Sequence, residues 1–184
     1  MEIINTDFDE VKIFISERLH DKRGSQKTVF SQKLLNDYGI SFNIKEERFY
    51  TPQRNAFYGI HFQNDPLVQN KLISLINGRG IDFIIDLRKN SKTYKKWIKM
   101  ELNSENNQIV YIPHGFGHGF LAMSDNVTMS FKIDQYFNND LSRSISYKDP
   151  EINLNIKIDE DLISDQDKYA PFLVDSNCNL LIKK

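Results

Sequence analysis

Apolar and polar residues alternate along the middle of the chain, from about residue 40 to residue 135, with the two-residue period of a β-strand. The clearest case is the segment 127–134, whose four odd-numbered side chains are all apolar and fall on one face. The segment 83–87 repeats the pattern, and the apolar run 108–112 ends at Pro113, which has no N–H to donate to a sheet. Short alternating strands separated by turn signals predict an all-β sandwich, jelly roll or barrel.

Turn and helix signals complete the predicted layout. Asn77-Gly78 lies between two apolar runs and predicts a β-hairpin, because both residues tolerate positive φ. Two short helices are expected, one over Ser31 to Tyr38 and one over Ser164 to Tyr169, with Ser164 as the N-cap of the second. The last thirty or so residues are expected to wrap over the strands. Without a linker-like segment, the chain is predicted to form a single domain, residues 1–184.

Composition narrows the classes of function. The 184 residues are 40% hydrophobic and 27% charged, with a net charge of -1, so no overall field favours nucleic acid or an anionic membrane as a partner. The acidic N-terminus lacks the basic and apolar regions of a signal peptide, and no apolar run has membrane-spanning length. Cys178 is the only cysteine, which excludes an internal disulfide. We therefore expect a soluble, cytoplasmic protein.

His61 is the most informative candidate for chemistry. It lies between Ile60 and Phe62, directly after Gly59, and Lys71 follows ten residues later. Imidazole readily takes a proton near neutral pH, an apolar frame would hold it partly dry, and a nearby ammonium would stabilise an anion. The alternative is an ordinary core histidine that satisfies itself on the backbone.

A second candidate segment, 112–121, is rich in glycine and aromatic residues and contains His114 and His118. It fits a ligand site or a plain barrel corner. A metal site built from His61, His114 and His118 is disfavoured, because the closely spaced His-x-His with a following Glu is missing. The sequence also has no phosphate-binding loop of Walker or Rossmann type and no nucleophile elbow. No metal and no cofactor is predicted.

Taken in order, several segments make the chain similar to the dTDP-4-dehydrorhamnose 3,5-epimerase family, which has a cupin-type jelly roll. The resemblance covers about Asp21 to Asp167, most of the chain. It is carried by residues 21–24 (Asp-Lys-Arg-Gly), 59–63 (Gly-Ile-His-Phe-Gln), 69–72 (Gln-Asn-Lys-Leu), 86–94 (Asp-Leu-Arg-Lys-Asn-Ser-Lys-Thr-Tyr), 112–121, 149–152 (Asp-Pro-Glu-Ile) and 164–167 (Ser-Asp-Gln-Asp).

The resemblance implies an all-β cupin fold, a cytoplasmic homodimer and an isomerase that needs neither metal nor nicotinamide. Its substrate would be a nucleoside-diphosphate 4-keto sugar, inverted at C3, C5 or both through an enolate, in surface-polysaccharide synthesis. It implies that His61 is the base, that Asp167 is its carboxylate partner and that Lys71 stabilises the enolate. Arg23 would bind the nucleotide across the dimer interface, while His118 and Gln63 would line the substrate pocket.

The chain departs from the family at several positions. The family's acid tyrosine is replaced by Phe131, and Tyr58 stands where a diphosphate-binding arginine is expected. Residues 25–28 and 47–52 also differ, so the base of the nucleotide is left open among dTDP, GDP and CDP. As a hypothesis, Arg48 and Arg54 compensate for the lost arginine and bind substrate together with Tyr58.

The absence of the acid tyrosine's hydroxyl at Phe131 has three interpretations. Tyr136 or a water supplies the proton, only one centre is inverted, or activity is lost. A positioned acid contributes about 10²–10⁴ in rate, so a working enzyme restricted to C3 or C5 is favoured, with Tyr136 as the candidate acid. The alternatives are a 3,4-ketoisomerase with similar enolate chemistry and a non-catalytic cupin that binds a sugar nucleotide.

Overall fold

The computed structural model describes residues 2–182, so the first residue and the last two of the predicted domain lie outside the described residues. Two antiparallel sheets face each other, one of six strands and one of five, and a separate two-stranded hairpin projects near the N-terminus. The strands are β1 (Glu2–Asn5), β2 (Lys12–Ile15), β3 (Arg18–Asp21), β4 (Gly24–Lys27), β5 (Glu46–Tyr50), β6 (Phe57–Gln63), β7 (Lys71–Asn77), β8 (Arg79–Asp86), β9 (Trp97–Asn103), β10 (Gln108–Ile112), β11 (Phe116–Ala122), β12 (Thr128–Ile133) and β13 (Ser142–Ser144).

The strand order is β1-β2-β10-β7-β12-β5 in the six-stranded sheet and β13-β6-β11-β8-β9 in the five-stranded sheet. The inner faces of both sheets contribute to one core, in which Ile73 and Leu75 of β7 meet Ile84 of β8 and Phe120 of β11. The all-β fold, predicted as a sandwich, jelly roll or barrel, is confirmed. The strand over 127–134 is also confirmed, because Val127 and Met129 belong to this core and Phe131 packs against it.

The outer faces are covered by the rest of the chain. Residues of the C-terminal segment, including Leu154, Leu173 and Leu180, pack with Phe83 on the outside of the five-stranded sheet. The expectation that the last thirty residues wrap over the strands is thus confirmed. Helix α1 (Gln32–Asp37) buries Leu35 against the outside of the six-stranded sheet.

Both predicted helices are confirmed. Helix α1 begins after Ser31, whose side chain accepts from the N–H of Leu34, and α2 (Asp165–Lys168) begins after Ser164, whose side chain accepts from the N–H of Asp167. Two further single turns of 3-10 helix lie at Glu160–Leu162 and Leu173–Asp175. No helix within residues 2–182 is long and apolar enough to cross a bilayer.

The hairpin predicted at Asn77-Gly78 is wrong. A tight turn does form there, with Gly78 at φ +78°, but it carries the chain from one sheet to the other. Strand β7 already has β10 and β12 on its two sides, and β8 has β9 and β11. Because each strand is already paired along both edges, β7 and β8 cannot also pair with each other. The Asn-Gly turn signal is local and carries no information about these neighbours.

Candidate active site

A cavity of about 410 Å³ opens between the two sheets at one end of the sandwich. One wall comes from β6 of the five-stranded sheet and the other from β5, β7 and β12 of the six-stranded sheet. It is lined by Arg48, Tyr50, His61, Phe62, Gln69, Lys71, Phe131, Ile133, Phe137, Asn139, Ser142 and Gln166. His61, Lys71 and Arg48, three of the residues predicted from the sequence, therefore share one cavity.

His61 is held by a carboxylate from a distant part of the chain. Its Nε2 lies 2.6 Å from Oδ1 of Asp167, and the other carboxylate oxygen accepts the N–H of Gly59 at 3.1 Å. Asp167 is buried, while 38% of the His61 side chain is exposed to the cavity and solvent. Because an ionised carboxylate only accepts hydrogen bonds, it fixes the proton on Nε2 and leaves Nδ1 free to take another.

Lys71 is a buried cation on the opposite wall. Its Nζ donates to the carbonyl oxygen of His61 at 3.2 Å, so the ammonium lies beside the β6 backbone that carries the histidine. Burial lowers the pKa of Lys71 to about 8, and the negative charge of Asp82 partly opposes this shift. The ammonium is therefore retained at neutral pH in a site where an anion would be its natural partner.

A second histidine–carboxylate pair lies deeper between the sheets. His118 is opposite His61 in the pairing of β11 with β6, and its Nε2 is hydrogen-bonded to Oδ1 of Asp82. Both side chains are buried, and Oδ2 of Asp82 has no hydrogen-bond partner among the described residues. The carboxylate of Asp82 therefore acts on both groups. It is hydrogen-bonded to His118, and its negative charge favours the protonated form of Lys71.

The wall facing His61 is aromatic and cationic. Phe131 of β12 lies between His118 and Tyr50, with ring centroids 5.8 and 5.5 Å away. Arg48, two residues before Tyr50 on β5, donates through Nε to Glu46 at 3.1 Å and stacks over the ring of Phe137 at 5.1 Å. This wall therefore offers one guanidinium and a stacking surface in the same cavity as His61 and Lys71.

Three other predicted residues lie near the cavity without forming its surface. Gln63 is buried, and its amide donates to the carbonyl oxygens of Leu67 and Tyr136, which fastens the loop after β12. Tyr136 is 59% exposed and is not among the described residues that line the cavity. Tyr58 is half-buried with its ring edge-on to Tyr50, and burial, followed by the charges of Tyr50 and Asp167, raises its pKa.

Two predicted arginines lie away from the cavity. Arg23 sits in the exposed turn of the β3–β4 hairpin, where it pairs with Asp21 at 2.6 Å. Arg54 lies in the exposed turn before β6, which the N–H of Ala56 closes by donating to the carbonyl oxygen of Gln53. Of the two arginines predicted to compensate for the missing one, the structure brings only Arg48 to the cavity.

The histidines of the disfavoured metal reading have separate partners. His61 and His118 each bond their own carboxylate, and Nδ1 of His114 lies 3.1 Å from Oδ1 of Asn70. Within residues 2–182, no three His, Cys, Asp or Glu side chains are grouped so that they could hold a metal ion.

Sequence reasoning missed Asp82 and Tyr50. Asp82 shares one face of β8 with Ile84, away from Phe83, and no local pattern shows the partner of its carboxylate. Tyr50 ends β5, where Arg48 and Tyr50 alternate with the exposed Phe49. The alternation along β5 is visible in the sequence. Which of its two faces points into the cavity is decided by the pairing of β5 with β12, which the sequence does not show.

The comparisons of the chain with known proteins agree on one family. The family model described as dTDP-4-dehydrorhamnose 3,5-epimerase matches residues 5–175. The dTDP-4-dehydrorhamnose 3,5-epimerase of Shigella flexneri is 30% identical over 178 residues, which is 96% of this chain and 98% of that protein. A Streptomyces protein named dTDP-4-dehydro-6-deoxyglucose 3-epimerase is 30% identical over 155 residues, which is 83% of this chain and 79% of that protein.

Among solved structures, the dTDP-6-deoxy-D-glucose-3,5-epimerase of Legionella pneumophila, in complex with dTDP-4-keto-L-rhamnose, superposes with a TM-score of 0.88. It is 31% identical, and the match covers 94% of this chain and 93% of that one. The cupin-type jelly roll predicted from the resemblance is confirmed.

Proposed function

The chain belongs to the dTDP-4-dehydrorhamnose 3,5-epimerase family, and on that premise we propose that it inverts a single carbon of a nucleoside-diphosphate 4-keto sugar. As a member of this family it is an isomerase, an epimerase of sugar nucleotides. The observation that carries the proposal is the pairing of His61 with the buried Asp167 in the same cavity as the Lys71 ammonium.

His61 acts as the base. A ketone acidifies the C–H bonds on its neighbouring carbons, and Nδ1 of His61 removes one of these protons. Asp167 stabilises the imidazolium that forms, since its carboxylate already accepts the hydrogen bond from Nε2. The electron pair released from carbon moves onto the ketone oxygen and gives an enolate.

Lys71 stabilises that enolate. An ammonium in a buried position interacts with an anion more strongly than it would in water, because solvent screens it less. With a pKa of about 8, roughly nine-tenths of Lys71 is protonated at pH 7. A proton returned to the opposite face of the carbon completes the inversion, and the sum of the steps leaves the ketone at C4.

Restriction to one centre is supported by the aromatic wall. Phe131 lines the cavity where the family resemblance places an acid tyrosine, and phenylalanine has no proton to give. The Streptomyces relative, by its name a 3-epimerase, is an example of a family member that acts at one carbon.

The nucleotide is proposed to bind at the rim formed by Arg48 and Phe137. A guanidinium donates well to diphosphate oxygens, and an aromatic ring offers a surface for a base. Arg23 is proposed to reach the site of a second subunit in a homodimer, because the exposed β3–β4 hairpin holds it away from its own cavity. Since the C-terminal segment packs on the same sandwich, the chain is proposed to act as one domain.

The test is proton NMR of dTDP-, GDP- and CDP-linked 4-keto hexoses and heptoses incubated with the protein in D₂O. We expect deuterium at one carbon next to the ketone, inversion of that carbon and loss of both effects in His61→Ala. A 3-keto product would show a ketoisomerase instead, and binding without exchange would show a non-catalytic cupin.

A further inference from the structure

The cavity has two chemically distinct walls, and an inversion uses both. His61 projects from β6 of the five-stranded sheet, whereas Tyr50 and Phe131 project from β5 and β12 of the six-stranded sheet. A base that removes a proton from one face of a carbon leaves an enolate that must be protonated from the other face. The proton donor is therefore to be sought on the wall that faces His61.

Tyr50 is the tyrosine that lines this facing wall. In the pairing of β5 with β12, Tyr50 lies opposite Met129 and Arg48 lies opposite Phe131, so Tyr50 and Phe131 are diagonal neighbours on the inner face. Their ring centroids are 5.5 Å apart. Tyr50 thus places a phenol hydroxyl on the strand next to Phe131, whose own side chain has no hydroxyl.

We propose, resting on the function proposed above, that Tyr50 is the proton donor of this enzyme. Its hydroxyl gives its proton to the enolate carbon on the face away from His61. A C–H bond forms there, the O–H bond of Tyr50 breaks, and the electron pair of the enolate returns the ketone. Tyr50 is left as a phenolate and regains a proton from water after the product leaves, while His61 loses its extra proton to water.

Arg48 supports this role. Its guanidinium contacts Glu46 and, as a smaller effect, Tyr50, and these contacts raise the pKa of Arg48 above its usual value. A guanidinium that stays charged beside a phenol stabilises the phenolate left after proton transfer. Glu46 in turn holds Arg48 in place through the bond to Nε.

The other two tyrosines near the site are worse placed. Tyr58 is on β6, the same strand as His61, and its charge is disfavoured by burial and by Asp167. Tyr136 is largely exposed in the loop after β12, outside the described residues that line the cavity. The earlier candidate, Tyr136, is therefore replaced by Tyr50.

The experiment compares Tyr50→Phe with the wild-type protein on the 4-keto sugar nucleotide that shows exchange in D₂O. Inversion should fall by about 10²–10⁴, the usual contribution of a positioned acid. Deuterium uptake without inversion should continue within a few-fold of the wild-type rate, because His61 still forms the enolate and returns solvent deuterium to the same face. That retained exchange also shows that the variant is folded.

Four further variants make the outcome decisive. Phe131→Tyr in the Tyr50→Phe background should restore inversion at one of the two carbons next to the ketone, because it supplies a phenol on the adjacent strand. Tyr136→Phe and Tyr58→Phe should each invert more than Tyr50→Phe does. Tyr38→Phe, at the C-cap of α1 on the outside of the six-stranded sheet, serves as a neutral control.

Undiminished inversion in Tyr50→Phe would overturn the assignment while leaving the proposed function intact. Loss of exchange together with inversion would also overturn it, since Tyr50 would then act before proton return. No exchange by the wild-type protein on any substrate would overturn the proposed function, and the assignment of Tyr50 with it.

Discussion

His61 and Asp167 are 106 residues apart in the chain, yet Nε2 of the histidine lies 2.6 Å from Oδ1 of the aspartate. Helix α2 delivers the carboxylate, and its N-cap Ser164 fixes the turn by accepting from the N–H of Asp167. The second carboxylate oxygen accepts the N–H of Gly59, so the pair is anchored to β6 as well. The short C-terminal helix is thus part of the proposed catalytic arrangement rather than only a cover for the sheet.

Asp167→Asn should lower the rate of His61-dependent deuterium exchange by about 10²–10⁴, the range of a general base contribution. The amide keeps the shape of the carboxylate but no longer carries the negative charge that stabilises an imidazolium. The measurement is the initial rate of deuterium uptake by NMR at saturating substrate.

Asp165→Asn is the matched control, because Asp165 lies two residues earlier on α2 and is exposed. Its exchange rate should equal that of the wild-type protein. If Asp167→Asn exchanged as fast as Asp165→Asn, the carboxylate would have no part in proton removal.

Lys71 should give the pH profile an alkaline limb. Its pKa in the folded protein is about 8, lowered by burial, so the ammonium is present below that pH and is lost above it. Because the ammonium stabilises the enolate, kcat/KM should be highest below about pH 8 and fall as pH rises through this value. In Lys71→Met this limb should be absent and the rate lower throughout, whereas an unchanged limb would assign it to another group.

Asp82→Asn should move that limb to lower pH. The carboxylate of Asp82 favours the charged form of Lys71, and removing it leaves the effect of burial less opposed. The lysine then loses its proton at a lower pH than in the wild-type protein. The kcat/KM profiles of the two proteins, recorded on one substrate, test this, and a shift in the opposite direction would contradict it.

Features set by neighbouring residues could be predicted from the sequence, whereas features set by residues far apart in the chain could not. The strand over 127–134 and both helices depend on local alternation and on Ser31 and Ser164 as caps, so they were readable. The strands before residue 28 were missed because each is only four residues long. The pairing of β5 with β12, which brings Tyr50 beside Phe131, joins segments about eighty residues apart. Such register is decided by the packing of the whole sandwich and leaves no local pattern.

Arg48→Ala should weaken nucleotide binding, whereas Arg54→Ala should not. Of the two arginines, Arg48 lines the cavity, and a hydrogen bond to a charged group contributes about 1.5–3 kcal/mol, which corresponds to a Kd increase of about 10- to 150-fold. Calorimetric titration of each variant with dTDP, GDP and CDP measures the effect and also identifies the preferred base. Equal loss in the two variants would indicate that Arg54 reaches the ligand after all.

Phe131→Tyr, made in the otherwise unchanged protein, should extend inversion to a second carbon. The new hydroxyl would project into the cavity between Tyr50 and His118, at a different point from the hydroxyl of Tyr50, and a donor at each point could serve each carbon next to the ketone. Proton NMR in D₂O should then show two inverted, deuterated carbons where the wild-type protein inverts one. Phe49→Tyr is the control, since Phe49 is the neighbouring β5 residue on the outward face and 63% exposed. Inversion of a single carbon in Phe131→Tyr, as in Phe49→Tyr, would mean that the restriction to one centre comes from how the sugar is held and not from the missing hydroxyl.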